Sequence, residues 1–171
     1  AGCFHLANME EKGNGVKKDL VRARGHYVTA CKGDVGPACY RLGLFLFLGQ
    51  GGSVDAAQAA KIFRKACRLV HRYQGESCFN VISAFRGPDG KLSSNKQVEQ
   101  LLRKSCELKF VKACSLLAAL YEQGLGGVGV DPKKARQYYQ KSCVGGQQAA
   151  CDAVRRLDAA GTKRQAGSKK K

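Results

Sequence analysis

Cysteine spacing constrains this chain more than any other feature. The cysteines stand at positions 3, 31, 39, 67, 78, 106, 114, 143 and 151, separated by steps of 28, 8, 28, 11, 28, 8, 29 and 8. A long step alternates with a short one through the whole chain, giving a period of about 36 to 39 residues. Such a period marks a stack of one repeated supersecondary unit, each burying its apolar face on its neighbours. In a chain of 171 residues there is room for four units and one compact array.

Other residues keep the same register. Twelve positions before Cys31, Cys67, Cys106 and Cys143 stand Asp19, Asp55, Ser94 and Asp131. All four are residue types whose side-chain oxygen accepts from a free amide in a first helical turn. Pro132 follows Asp131, at the first helical position, where a missing N–H costs nothing. Four residues after each cap come Ala23, Ala59, Val98 and Ala135, and eight after come Tyr27, Phe63, Leu102 and Tyr139. Those spacings lie on one face of a helix, so each unit is predicted to end in an amphipathic helix with its cysteine in the last turn. The partner helix is predicted to begin at Cys3, Cys39, Cys78 and Cys114, with Leu6, Leu42, Val81 and Leu117 three residues on. Gly13, Gly49 and Gly124 stop it, and in the third unit Gly87 and Pro88 open a longer loop to Asn95. The prediction is an all-α chain: units at about 3–31, 39–67, 78–106 and 114–143, a capping helix at 149–159, and a basic tail at 161–171.

The sequence resembles the Sel1-like repeat family, relatives of the tetratricopeptide repeats. The resemblance is carried by Cys-Tyr-Arg-Leu-Gly at 39–43, Gly-Asn-Gly-Val-Lys-Lys-Asp at 13–19 and Asp-Pro-Lys-Lys-Ala-Arg-Gln-Tyr-Tyr-Gln-Lys-Ser-Cys at 131–143. It covers residues 3 to about 157, and cysteines at both helix positions narrow it to a cysteine-rich branch. It implies a right-handed α-solenoid of helix pairs whose concave side binds other proteins. That branch includes secreted bacterial proteins and assembly proteins of the mitochondrial intermembrane space. The function so implied is a non-catalytic scaffold, either an assembly factor or an accessory subunit of the respiratory chain, of cytochrome c oxidase type.

Four cysteine pairs present themselves: Cys31–Cys39, Cys67–Cys78, Cys106–Cys114 and Cys143–Cys151. Eight residues of continuous helix would span about 12 Å, whereas a disulfide needs Cα atoms about 4.4–6.8 Å apart. The chain must therefore reverse between partners, and Lys32-Gly33-Asp34-Val35-Gly36-Pro37 and Val144-Gly145-Gly146 supply reversals. Buried reduced thiols are the alternative. Metal binding fits less well, since structural zinc uses cysteines two to four residues apart, and neither a C-x-x-C redox pair nor a haem-attachment motif occurs. Cys3 stands without a partner; the ruler places one about eight residues upstream, which points to a processed or incomplete N-terminus or to a free or intermolecular thiol. Disulfides imply an oxidising compartment: the intermembrane space, the periplasm or the cell exterior.

The net charge is +17, and the body still carries about +12 without the tail cations Lys163, Arg164, Lys169, Lys170 and Lys171. Such a surface either keeps the chain solvated or meets an anionic partner: an acidic protein, lipid headgroups or RNA. A second reading is thus a basic structural component of a mitochondrial ribosome or other ribonucleoprotein in the matrix. A third is a secreted bacterial protein that binds penicillin-like compounds. The longest apolar run, Leu42 to Leu48, has seven residues, too few to span a membrane. His5, His26 and His71, with Met9, share no metal-ligand spacing, and no lysine and hydroxyl pair follows the glycines as a phosphate loop needs. Tyr138, Tyr139 and Phe45 to Phe47 read as core. No active site, cofactor, metal or small-molecule substrate is expected.

Overall fold

The structure is a computed structural model that describes residues 2–82, 96–125 and 128–168, with the backbone alone from 161 onward. Nine α-helices run through the described residues, which include no strand: α1 (Gly2–Lys12), α2 (Leu20–Lys32), α3 (Gly36–Leu48), α4 (Ala56–Arg68), α5 (Gln74–Val81), α6 (Lys96–Glu107), α7 (Val111–Gln123), α8 (Pro132–Val144) and α9 (Gln148–Ser168). They fall into two compact units, α1–α5 within residues 1–91 and α6–α9 within 92–171. In each unit every helix packs on the next in sequence, and α3 also touches α5. That nearest-neighbour pattern defines a helical-repeat solenoid.

The caps explain where α2, α4 and α8 start. The Asp19 carboxylate accepts from Val21 and Arg22 N–H, Asp55 from Gln58 N–H and Asp131 from Lys134 N–H. Each cap's own N–H donates back to a carbonyl near the end of the preceding helix, Glu10, Leu46 or Tyr121, at 2.9, 2.8 and 2.8 Å. One aspartate thus starts a helix and fixes the angle at which the chain enters it. Before two of these turns, Gly49 and Gly124 stop α3 and α7 at φ 69° and 67°, left-handed values that a side chain disfavours. The proposed cap Ser94 and the Gly87–Asn95 loop lie outside the described residues.

In the first unit Ala23, Tyr27, Phe45, Ala59 and Phe63 are buried, with the Tyr27 and Phe45 rings edge to face at 5.2 Å. In the second, Val98, Leu102, Leu117, Ala118 and Ala135 are buried. The small residues at 23, 59 and 135 let helix backbones approach closely, and the large ones fill the space between pairs.

Several sequence expectations are corrected. The helices α3, α5 and α7 begin three or four residues ahead of Cys39, Cys78 and Cys114. The chain reverses within a few residues, so each cysteine sits in a first turn rather than at its start. Phe47 is 44% exposed although the spacing reads as core, because α3 turns only the side of Phe45 and Leu46 inward. In α8 Tyr138 is buried and Tyr139 only half-buried. The last helix runs on to Ser168, past the predicted end at 159, since residues 160–168 carry no proline and each of their two glycines costs a helix only about 1 kcal/mol. No helix of the described residues is long and apolar enough to cross a membrane.

Candidate protein-interaction surfaces

The corners between repeats are covalent. Cys31–Cys39, Cys67–Cys78, Cys106–Cys114 and Cys143–Cys151 have S–S distances of 2.08, 2.02, 2.09 and 2.01 Å and Cα separations of 4.6, 4.6, 4.8 and 4.7 Å. Each ties the last turn of one helix to the first turn of the next. Three corners share one backbone design. The N–H of Asp34, Lys109 and Gly146 donates to the carbonyl of Cys31, Cys106 and Cys143, and the following N–H donates to Ala30, Ser105 and Ser142. The residue at the bend has φ of 59° at Asp34, 63° at Lys109 and 91° at Gly146. The Cys67–Cys78 corner is longer, and there the Gln74 side-chain amide donates to the Cys67 carbonyl at 3.0 Å. Cys3 is half-buried on α1 and is the free cysteine of the chain.

Polar side chains then link neighbouring helices. In the first unit the Tyr27 hydroxyl donates to Glu11 at 2.6 Å, and Arg41 pairs with the same carboxylate. In the second, Tyr139 donates to Glu122 at 2.9 Å and Arg156 pairs with it at 2.7 Å. The arrangement is the same twice: an acid late in one helix, a tyrosine on the next, an arginine on the helix after. Arg156 is the main cause of a lowered Glu122 pKa, whereas burial, then Glu122, pushes Tyr139 up to about 12. A further group joins Glu99, Tyr121 and Arg103; the Tyr121 hydrogen bond leads the lowering of Glu99, and burial raises Tyr121 to about 12. These groups rigidify the stack and present no nucleophile beside a base.

Three features are exposed enough to meet a partner. On the first unit, half-buried Tyr40 and Tyr73 stack at 4.8 Å with the Arg72 guanidinium 4.6 Å over the Tyr73 ring. Beside α3, Leu44, Phe47 and Leu48 line a small apolar hollow with Phe63 and Asn80. On the second unit, a groove of about 670 Å³ opens where the Cys106–Cys114 corner meets the end of α8. Tyrosine, phenylalanine and arginine are the types that concentrate binding energy in protein interfaces. Spacing alone did not reveal these surfaces, because each combines residues from two or three helices.

The three histidines are otherwise engaged. His5 is exposed on α1, and His26 Nδ1 lies 2.7 Å from the buried Glu10 carboxylate. His71 Nε2–H donates to the Ala66 carbonyl at 3.0 Å while Nδ1 accepts from Tyr73 N–H at 3.2 Å. The described residues hold no cluster of three or more metal-ligating side chains. Of the predicted anionic-partner contacts, the backbone of Lys163 and Arg164 belongs to α9 and their side chains lie outside the described residues, as do Lys169, Lys170 and Lys171 entirely.

The fold and corners define a disulfide-stapled helical-repeat protein. The Sel1 repeat matches residues 1–35, 36–71 and 111–145, and the chain belongs to the Sel1 repeat family. It is similar to cytochrome c oxidase assembly factor 7 of Xenopus tropicalis, with 28% identity over 162 residues, 91% of this chain and 68% of the relative. Among solved structures it is similar to a Sel1 repeat protein from Oxalobacter formigenes, with a TM-score of 0.73, 26% identity, and coverage of 93% of this chain and 63% of that one. Helicobacter pylori cysteine rich protein B is similar too, with a TM-score of 0.57, 27% identity, and coverage of 82% of this chain and 98% of that one. The matched repeats leave 72–110 between them, which takes in Cys78 and the predicted third unit with its longer loop.

Proposed function

We propose that this chain is a non-catalytic mitochondrial scaffold that holds protein subunits during assembly of cytochrome c oxidase, acting in the intermembrane space. The observation that carries the reading is the similarity to the oxidase assembly factors of Xenopus tropicalis and Xenopus laevis, which extends over 91% of this chain. Covalent corners support the compartment, because disulfides persist where thiols are kept oxidised. The exposed tyrosine and arginine cluster and the groove supply binding surface without catalytic groups. The ribonucleoprotein reading rests on the basic charge, and the secreted reading on likeness to bacterial cysteine-rich repeat proteins; the breadth of the oxidase-factor similarity favours the mitochondrial reading over both.

The test is crosslinking of the tagged chain inside intact mitochondria, followed by mass spectrometry. Oxidase subunits are expected among the crosslinked partners, and loss of the chain should reduce fully assembled oxidase on native gels. Protease should reach the protein once the outer membrane is opened. Protection until the inner membrane is broken, with ribosomal proteins as partners, would replace this reading with the ribonucleoprotein one.

A further inference from the structure

The repeats allow two equivalent corners to be compared within one chain. At the Cys31–Cys39 corner, Lys65 donates to the Cys31 carbonyl at 2.8 Å and pairs with Asp34 at 2.7 Å. The His71 ring lies over Gly36 so closely that a Cβ there would stand 2.5 Å from Cδ2. One ion pair is made within the chain beside the exposed Lys32, and an imidazole covers the corner.

At the Cys106–Cys114 corner the same positions are filled differently. Lys109 takes the place of Asp34, and Lys141 takes the place of Lys65. Two cations therefore flank a turn where the first unit has an ion pair, with Glu107 in the place of the exposed Lys32. Lys109 is exposed and enters no ion pair among the described residues, and Lys141 rests 5.2 Å from the Tyr138 ring centroid. Val111 replaces Gly36, and Gly145 faces it across the corner. The outcome is the open groove of about 670 Å³, lined chiefly by Val111, Val144 and the disulfide, with Lys109, Lys141 and Glu107 among its polar residues.

We infer that this groove docks an acidic segment of a partner protein, with a bulky apolar side chain between Val111 and Val144 and carboxylates on Lys109 and Lys141. The inference rests on the scaffold reading and names the partner's chemistry. Charge complementarity selects the occupant: two lysines against one glutamate leave the groove net positive beside an apolar floor. Glu107 among the lining residues repels a uniform polyanion, which disfavours RNA or an anionic bilayer and favours a segment with a few placed acids.

The experiment is a methyl and amide NMR titration of the whole oxidised chain with a capped hexapeptide, Ser-Asp-Leu-Phe-Asp-Ser. A second peptide has lysine for each aspartate, and a third probe is phosphatidylglycerol vesicles. Saturable shifts at Val111, Val144 and Gly145 are expected with the acidic peptide alone. Lys109→Asp should weaken that binding at least tenfold and keep the fold, because Asp34 already occupies the same left-handed bend. Lys32→Asp, at the other corner, should leave the affinity unchanged. Equal affinity in Lys109→Asp, no saturable shifts, or vesicle binding with the same Lys109 dependence would overturn the inference. If Lys109→Asp still crosslinks to oxidase subunits as before, the groove is rejected and the scaffold role stands. Absence of such crosslinks in the unsubstituted chain rejects the scaffold role, with the peptide titration unaffected.

Discussion

Gly43 lies in the middle of α3, where glycine costs a helix about 1 kcal/mol relative to alanine. The Phe63 ring accounts for it: a Cβ at Gly43 would sit 2.6 Å from Cε1, and that ring is 1% exposed. Gly43→Ala is therefore expected to destabilise the fold by about 1–3 kcal/mol despite better helix propensity, read as a lower urea midpoint. His71 makes a second prediction. Burial lowers its pKa below 6.5, against the smaller raising effects of the Ala66 carbonyl and Glu76. Below pH 6.5 the unfolded chain thus binds more protons than the folded one, so stability falls as pH drops through that value. The urea midpoint should be lower at pH 5.5 than at pH 7.5, and His71→Gln should flatten that dependence. Lowered carboxylates such as Glu99 and Glu122 act in a separate window, their contribution lost only as pH falls below about 4.5.

At the scale of elements, each corner disulfide closes a short loop. Under the chain-entropy account, replacing Cys31 and Cys39 together by alanine should cost about 2–3 kcal/mol, and the pair Cys106 and Cys114 a similar amount. Denaturant melts of the two double variants check this. Removing the cap with Asp131→Ala should cost about 1 kcal/mol through the lost bond to Lys134 N–H. Caps and cysteines are legible in sequence because a helix end needs particular atoms at one position. Which face a helix buries is less legible. Tyr139 lies on the four-and-eight spacing, yet Tyr138 is the buried ring, stacked on Tyr121 of α7 at 5.8 Å. Phe47 is exposed because α3 turns only the side of Phe45 and Leu46 inward.

At the scale of the molecule, each helix depends on its neighbours, so the corners do more for the array than any single contact. Full reduction of the four disulfides should lower the melting temperature and spread the transition, measured by circular dichroism with and without dithiothreitol. The +17 charge adds a long-range attraction for acidic partners. Association driven by it should weaken as salt is raised, since exposed charges are screened beyond about 8–10 Å at physiological ionic strength.

Periodic information belonged to the sequence: the repeat length, the caps, the glycine stops and the cysteines two to a corner. These are local requirements, satisfied within one helix turn or one chain reversal, and they recur at fixed spacing. The tertiary structure decided everything that joins residues far apart. It turned Phe47 outward, brought Tyr40 onto Tyr73, and set Lys109 and Lys141 around an open groove while Asp34 and Lys65 pair at the matching corner. Spacing along the chain specifies a helix and its ends, but packing sets which side chains meet across neighbouring helices.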